Sequence, residues 1–177
     1  MRLSTAPIRR SRGDSVEFDL SADSDAFEDL PDGVSLPHGV RATGRAYNTG
    51  DGFAVTGSAS ATVRLSCDRC LEDYEVELIA DLSYDYYREG SSVEEPLRDE
   101  RSEGERLDSL MFRGDTIDIL EQVREALLLL IPHKKICREQ CQGICPICGC
   151  NRNLESCDCD TTVLDPRLAD LAELLED

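Results

Sequence analysis

Apolar and polar positions alternate with a period of two over the first half of the chain and switch to a helical period later. Val16 to Leu20 alternates over the length of a short strand. Val40 to Tyr47 alternates again, and Asn48-Thr-Gly-Asp-Gly52 is a turn signal. From Phe53 to Leu65 the side chains of Phe53, Val55, Val63 and Leu65 share one face. Leu71 to Tyr87 forms the next strand region, with Tyr74, Val76, Leu78, Leu82, Tyr84 and Tyr86 in phase. A break near Ala80 predicts a β-bulge there. Val40 to Tyr87 therefore reads as an antiparallel meander, and Cys67-Asp68-Arg69-Cys70 falls at a hairpin tip.

The helical period begins after Asp115, the expected N-cap. Ile119, Leu120, Val123, Ala126, Leu127 and Leu130 form one stripe, and Pro132 stops the helix. Leu127 to Ile131 is apolar all round, which predicts a buried end. A short terminal helix is expected after Asp165-Pro166, with Leu168, Leu171, Ala172 and Leu175 as its stripe. Residues 21–39 read as a loop with a helical turn near Ala26 to Leu30.

Two segments lack the apolar side chains that would offset ordering entropy. Residues 1–15 are polar and basic and are expected to form a flexible arm. Residues 88–109 are charge-dense and are expected to form a mobile acidic loop, with docking to a basic partner as its functional reading. The predicted fold is α+β: an antiparallel sheet, one main helix, a cysteine-rich zinc-binding module and a short terminal helix. The expected division is an arm over 1–15, an α+β domain over 16–135 and a zinc module with the terminal helix over 136–177.

Composition narrows the partners. The 177 residues include 37 acidic and 19 basic side chains, for a net charge of −18. Such a surface repels phosphate backbones, so autonomous non-specific binding of nucleic acid is disfavoured. A basic partner, such as a ribosomal protein, is electrostatically easier. There is no Trp and only 5% aromatics, so an aliphatic core is expected. The N-terminus has positive charge but no apolar run behind it, and the longest apolar run, Ala126 to Ile131, is too short to span a bilayer. A cytoplasmic protein with no membrane partner is expected.

Nine cysteines in a reducing compartment call for a metal or redox role. Two Cys-x-x-Cys pairs, Cys67/Cys70 and Cys145/Cys148, have the spacing with which a tight turn aims two sulfurs at one ion. Cys137/Cys141 and Cys157/Cys159 complete eight paired thiols, enough for two four-thiolate zinc sites. A local site of Cys145, Cys148, Cys157 and Cys159 would leave Cys67, Cys70, Cys137 and Cys141 for a long-range one. The rival partition joins the two Cys-x-x-Cys knuckles as in a zinc ribbon. The first is preferred because it closes the second site through short loops. Iron–sulfur ligation is the main rival to zinc. A four-thiolate site leaves no open position, so the expected role is structural. His133 is weighed as an extra ligand, His38 as an exposed loop residue, Arg69 as an exposed knuckle residue and Cys150 as an unpaired ninth thiol. No phosphate-binding glycine loop, His-Glu-x-x-His or nucleophile elbow is present.

Taken in order, Cys67-Asp68-Arg69-Cys70-Leu71, the helix ending in Leu-Leu-Ile-Pro132, Cys137, Cys141-Gln-Gly-Ile-Cys145-Pro-Ile-Cys148-Gly149, Asn151-Arg-Asn153, Cys157-Asp-Cys159 and Asp165-Pro-Arg167 resemble the bacterial YceD family. The resemblance runs from about Val40 to Leu175, and the ordered string is more specific than any one motif. Ile144 departs from the usual Leu, and Cys150 matches no family ligand. The resemblance implies a part in accumulation or processing of large-subunit ribosomal RNA, with a large-subunit ribosomal protein or pre-ribosome as partner. RNA would be met directly or through a basic protein.

Three functions follow as expectations. The first is a non-enzymatic ribosome biogenesis factor without a small-molecule substrate. The alternative is a redox- or metal-responsive zinc-thiolate regulator with Cys150 as resolving thiol. The third, a nuclease acting on precursor ribosomal RNA, finds no cleavage chemistry in the sequence.

Overall fold

The computed structural model describes residues 1–27, 30–89 and 109–160. The expected terminal helix, and all of the expected acidic loop except Arg88, Glu89 and Ser109, lie outside these. The chain divides into two units. Among the described residues, the first joins Met1–Leu65 with Glu75–His133, and the second joins Ser66–Tyr74 with residues 134–160.

In chain order the elements are β1 (Arg2–Ser4), β2 (Ser15–Ala22), β3 (Val34–Ser35), β4 (Val40–Asn48), β5 (Gly52–Ser66), β6 (Asp73–Arg88), β7 (Ser109–Phe112), β8 (Thr116–Asp118) and α1 (Leu120–Leu129), with one 3-10 turn at Ser24–Ala26. The main sheet runs β2-β4-β5-β6-β7, with β3 beside the end of β5. β4 is antiparallel to both β2 and β5, as the alternating pattern leads one to expect. β7 is instead parallel to β6, pairing Asp85 with Ser109 and Arg88 with Phe112, so the sheet is mixed. Four residues directly behind a charge-dense segment are too few to show a period, which is why this strand is not visible in the sequence.

Burial sharpens several expectations. Along β6, Leu78, Ala80 and Leu82 are buried while Ile79 and Asp81 are exposed. The alternation passes through Ala80 without changing phase, and this leaves no phase shift for the expected bulge. On β5, Phe53, Val55, Val63 and Leu65 do share the buried face, together with Ala59 and Ala61. The core is less aliphatic than expected. All four phenylalanines are buried, and Phe53 meets Phe112 edge-on at 5.7 Å between ring centroids.

Gly44 on β4 stands opposite Gly57 on β5 and beside Phe18 on β2. A Cβ on Gly44 would lie 2.8 Å from the Phe18 ring, and one on Gly57 would lie 2.2 Å from the Thr43 carbonyl oxygen. The bare backbone therefore supplies the room that Phe18 fills.

Residues 1–15, expected to be a flexible arm, are held instead. β1 pairs antiparallel with β8, and Leu3 and Ile8 are buried. The Thr5 N–H donates to the Asp115 carbonyl at 2.9 Å, and the Asn48 side-chain amide donates to the Ile8 carbonyl at 2.7 Å. Two buried apolar residues in a basic segment suffice to dock it, because its arginines remain at the surface.

The main helix starts later than expected. Asp115 does not cap it but pairs with Arg9 and Arg88. Asp118 accepts the Leu120 N–H at 3.1 Å and takes the capping part. Ile119, Val123 and Leu127 are buried, and the hydroxyls of Tyr84 and Tyr86 donate to Gln122. Burial pushes the Tyr86 hydroxyl well above its ordinary range. The expected buried end is corrected: Leu129 is 85% exposed and Leu130 is also exposed. No helix among the described residues is long and apolar enough to cross a membrane.

Candidate metal centres

The second unit is built around two turns of the same make. At the tip between β5 and β6, the Leu71 N–H donates to the Cys67 carbonyl and the Cys67 N–H donates to the Glu72 carbonyl, both at 2.9 Å. In the second turn the Gly149 N–H donates to the Cys145 carbonyl at 2.9 Å and the Cys145 N–H donates to the Cys150 carbonyl at 2.8 Å. The residue after the second cysteine is left-handed in each, with φ 62° at Leu71 and 75° at Gly149. Glycine takes that conformation without strain and leucine does not.

A second stretch of chain closes on the first turn. Asp68 and Lys135 exchange two bonds at 2.7 Å, one through the Asp68 carboxylate and one through its N–H. This brings Cys137 and Cys141 beside Cys67 and Cys70. The sulfurs of Cys67, Cys70, Cys137 and Cys141 form one group, and those of Cys145, Cys148, Cys157 and Cys159 form another, each within 4.8 Å throughout. The thiols thus gather in the long-range and local sets rather than as a ribbon.

The spacing of these sulfurs tests the fit of an ion. A metal at ~2.3 Å from each of four tetrahedral sulfurs separates those sulfurs by about 3.8 Å. Cys67 and Cys141 are 3.8 Å apart, and Cys70 and Cys137 are 3.7 Å apart. The donor set therefore fits a single thiophilic ion, whereas a polynuclear cluster would hold its cysteines further apart. Cys67, Cys70 and Cys141 are buried, with Tyr74 and Ile136 packed against them. In the other group Cys145 is buried and Cys148 exposed.

Backbone amides prepare part of each group for ionisation. Burial pushes the Cys67 thiol up, but N–H groups of Cys137, Cys70 and Arg69 outweigh it and bring it down to about 6. The Cys148 and Ile147 N–H groups bring Cys145 down to about 6 as well. Their neighbours respond to the charge already present. Burial and the adjoining sulfurs push Cys137 up to about 12, and the Cys148 sulfur together with burial does the same for Cys159. A bound cation would remove the protons from all four members of each set.

Residues between the cysteines knit the two groups together. Arg69 is exposed, as expected of a knuckle residue, and it also donates from Nη1 to the Cys141 carbonyl at 2.9 Å, while its own carbonyl accepts the Ile144 N–H at 2.9 Å. Gly143, at φ 74°, lies so close that a Cβ there would be 2.8 Å from the Arg69 carbonyl oxygen. Asn153, on the loop between Cys148 and Cys157, donates from Nδ2 to the Cys141 sulfur at 3.4 Å. Burial would raise Cys141, and the Asn153 amide contributes to its net lowering. Neither Asn151 nor Asn153 is among the site residues expected from the sequence. His133 and His38 are exposed, and His133 joins neither group. Cys150 lies within hydrogen-bonding reach of Cys148 and Cys157, which push its thiol up to about 12.

No solved structure matches the chain. Three curated relatives are each 29% identical over 131 residues, covering 74% of this chain. One is from Mycobacterium bovis and two are from strains of Mycobacterium tuberculosis, and all three are described only as uncharacterized proteins. The chain spans 59% of the length of these relatives. The family described as "Large ribosomal RNA subunit accumulation protein YceD" matches residues 55–175, which take in both turns and both thiol groups. Most of β5, all of β6 to β8, the main helix and all eight grouped cysteines fall within that match, and the chain belongs to the YceD family.

Proposed function

We propose that this chain is a cytoplasmic ribosome biogenesis factor that supports accumulation or processing of large-subunit ribosomal RNA. In this reading it is a non-enzymatic binding protein stabilised by two structural zinc ions. The observation that carries the proposal is the YceD match over residues 55–175. Zinc suits the thiols because it holds four sulfurs tetrahedrally without redox change, and four thiolates leave no coordination position for a substrate. The net charge of −18 favours a basic large-subunit protein, or RNA reached through one, as the partner. Sucrose-gradient profiling of a deletion strain tests the proposal. Depleted large subunits with precursor large-subunit RNA are expected, and a normal profile with normal precursor levels would overturn it.

A second reading is favoured by the position of Cys150 beside Cys148 and Cys157. As a regulator, the second group would lose its ion when one peroxide converts two thiols to a disulfide and is itself reduced to two waters. Mass spectrometry after mild peroxide separates the readings: retained zinc and free thiols exclude the switch.

A further inference from the structure

One side chain on the loop of the second thiol group donates to a sulfur of the first. Asn153 belongs to the stretch that must be ordered for Cys148 and Cys157 to reach one ion. Its Nδ2 donates to the Cys141 sulfur at 3.4 Å and to the Asn151 Oδ1 at 2.9 Å, and its Oδ1 accepts the Gln142 N–H at 2.9 Å. Asn151 fixes Asn153 in turn, because its Oδ1 also accepts the Asn153 N–H at 3.0 Å. Asn151 further donates to Glu72 at 3.4 Å and bridges to Ile144. The Arg152 N–H donates to the Gly143 carbonyl at 2.9 Å. Five residues, Cys141 to Cys145, carry the chain from one group to the other.

We propose that Asn153 is a positioning residue that couples the two metal centres, so that an ion in the second raises the affinity of the first. The inference rests on the reading of both thiol groups as metal centres. An ion at Cys145, Cys148, Cys157 and Cys159 orders the loop and holds the Asn153 amide on Cys141. That amide then holds the Cys141 sulfur in place to ligate the first ion. The coupling is reciprocal by linkage, so an ion in the first group raises the affinity of the second by the same factor.

The test is cobalt(II) titration of the full chain under reducing conditions, against a competing chelator, with the thiolate-to-cobalt charge-transfer bands as readout. Removing the second centre with C148S/C157S is expected to weaken the first about 10-fold or more, the range seen when groups that orient metal ligands are lost. In the N153A background the same removal is expected to change the first centre less than about twofold. N153A alone should move the charge-transfer band of the first centre to lower energy, since the thiolate loses a hydrogen bond. Far-ultraviolet circular dichroism checks that each variant folds, and N153Q, which keeps the amide, serves where N153A does not. Two independent uptakes in the wild type, or an equal effect of C148S/C157S with and without Asn153, would overturn the coupling and leave the metal reading standing. No uptake by the wild type would overturn both.

Discussion

Leu71 and Gly149 occupy the same place in two turns of the same build, each left-handed, each donating its N–H back to the first cysteine of its pair. Leucine at φ 62° carries a left-handed penalty of about 1–2 kcal/mol. With 67% of Leu71 exposed, little burial offsets it. Glycine there regains that penalty but loses about 0.5–1 kcal/mol through the freedom of the unfolded chain. L71G is expected to raise the stability of the metal-loaded protein by about 0.5–1 kcal/mol, measured by urea denaturation.

The two left-handed glycines of the second unit should differ in their tolerance of alanine. At Gly149 a Cβ meets nothing within 4 Å, so G149A carries the conformational penalty alone, about 1 kcal/mol. At Gly143 the same Cβ lies 2.8 Å from the Arg69 carbonyl oxygen, so the chain must also shift at the link between the two groups. G143A is expected to cost about 2–3 kcal/mol and to weaken metal retention, where G149A does not. Chelator competition on the two variants reads the difference.

Within the main sheet, G57A should be the more damaging kind of alanine substitution. Its Cβ would stand 2.2 Å from the Thr43 carbonyl oxygen, so β4 and β5 must separate locally where Phe18 covers the pair. A loss of about 2–3 kcal/mol in thermal or urea unfolding is expected. S58A, one position along and on the opposite face, should fall within about 0.5 kcal/mol of the wild type.

Metal uptake should release protons, and the number depends on pH in a direction set by the lowered thiols. Cys67 and Cys145, brought down to about 6, are already ionised at neutral pH, whereas Cys137 and Cys159, pushed up to about 12, still hold their protons. Affinity therefore rises with pH throughout this range. The slope should be at most three protons per ion near pH 7.5, and should approach four well below pH 6, where every thiol of the set is protonated. Calorimetry in buffers of different ionisation enthalpy counts the protons. For the metal-free chain the sign is mixed. The lowered thiols contribute stability that is present above their unfolded value near 9 and is lost as pH falls through about 6. The raised thiols contribute stability that is present below that value and is lost as pH rises through about 12.

The long strands were legible because fifteen or sixteen residues repeat a period of two many times, as in β5 and β6. The false break at Ala80 arose because alanine carries little hydropathy, although its place in the sheet buries it as fully as Leu82. β1, β7 and β8 have three or four residues each, which is too short for any period, and their pairing partners lie far away in sequence. The exposed end of α1 escaped notice for a different reason: a run that is apolar on every side does not say which side meets the core. The thiol groups could be anticipated from loop length and turn chemistry. Asn153 could not, because its role depends on a distance across the chain to Cys141 that no local pattern encodes.

The first thiol group draws its members from stretches that are synthesised at different times. Cys70 and Cys137 are 67 positions apart, so at ~5–20 residues per second the hairpin tip waits roughly 3–13 s for its partners. Through that interval the cell holds a half-made ligand set, two thiols on a tight turn with nothing to close over them. The later stretch delivers Cys137 and Cys141 just ahead of the second group, so neither set of four is complete until that stretch has been made. A chain cut short before Cys137 would carry the hairpin without the two thiols that close the first group.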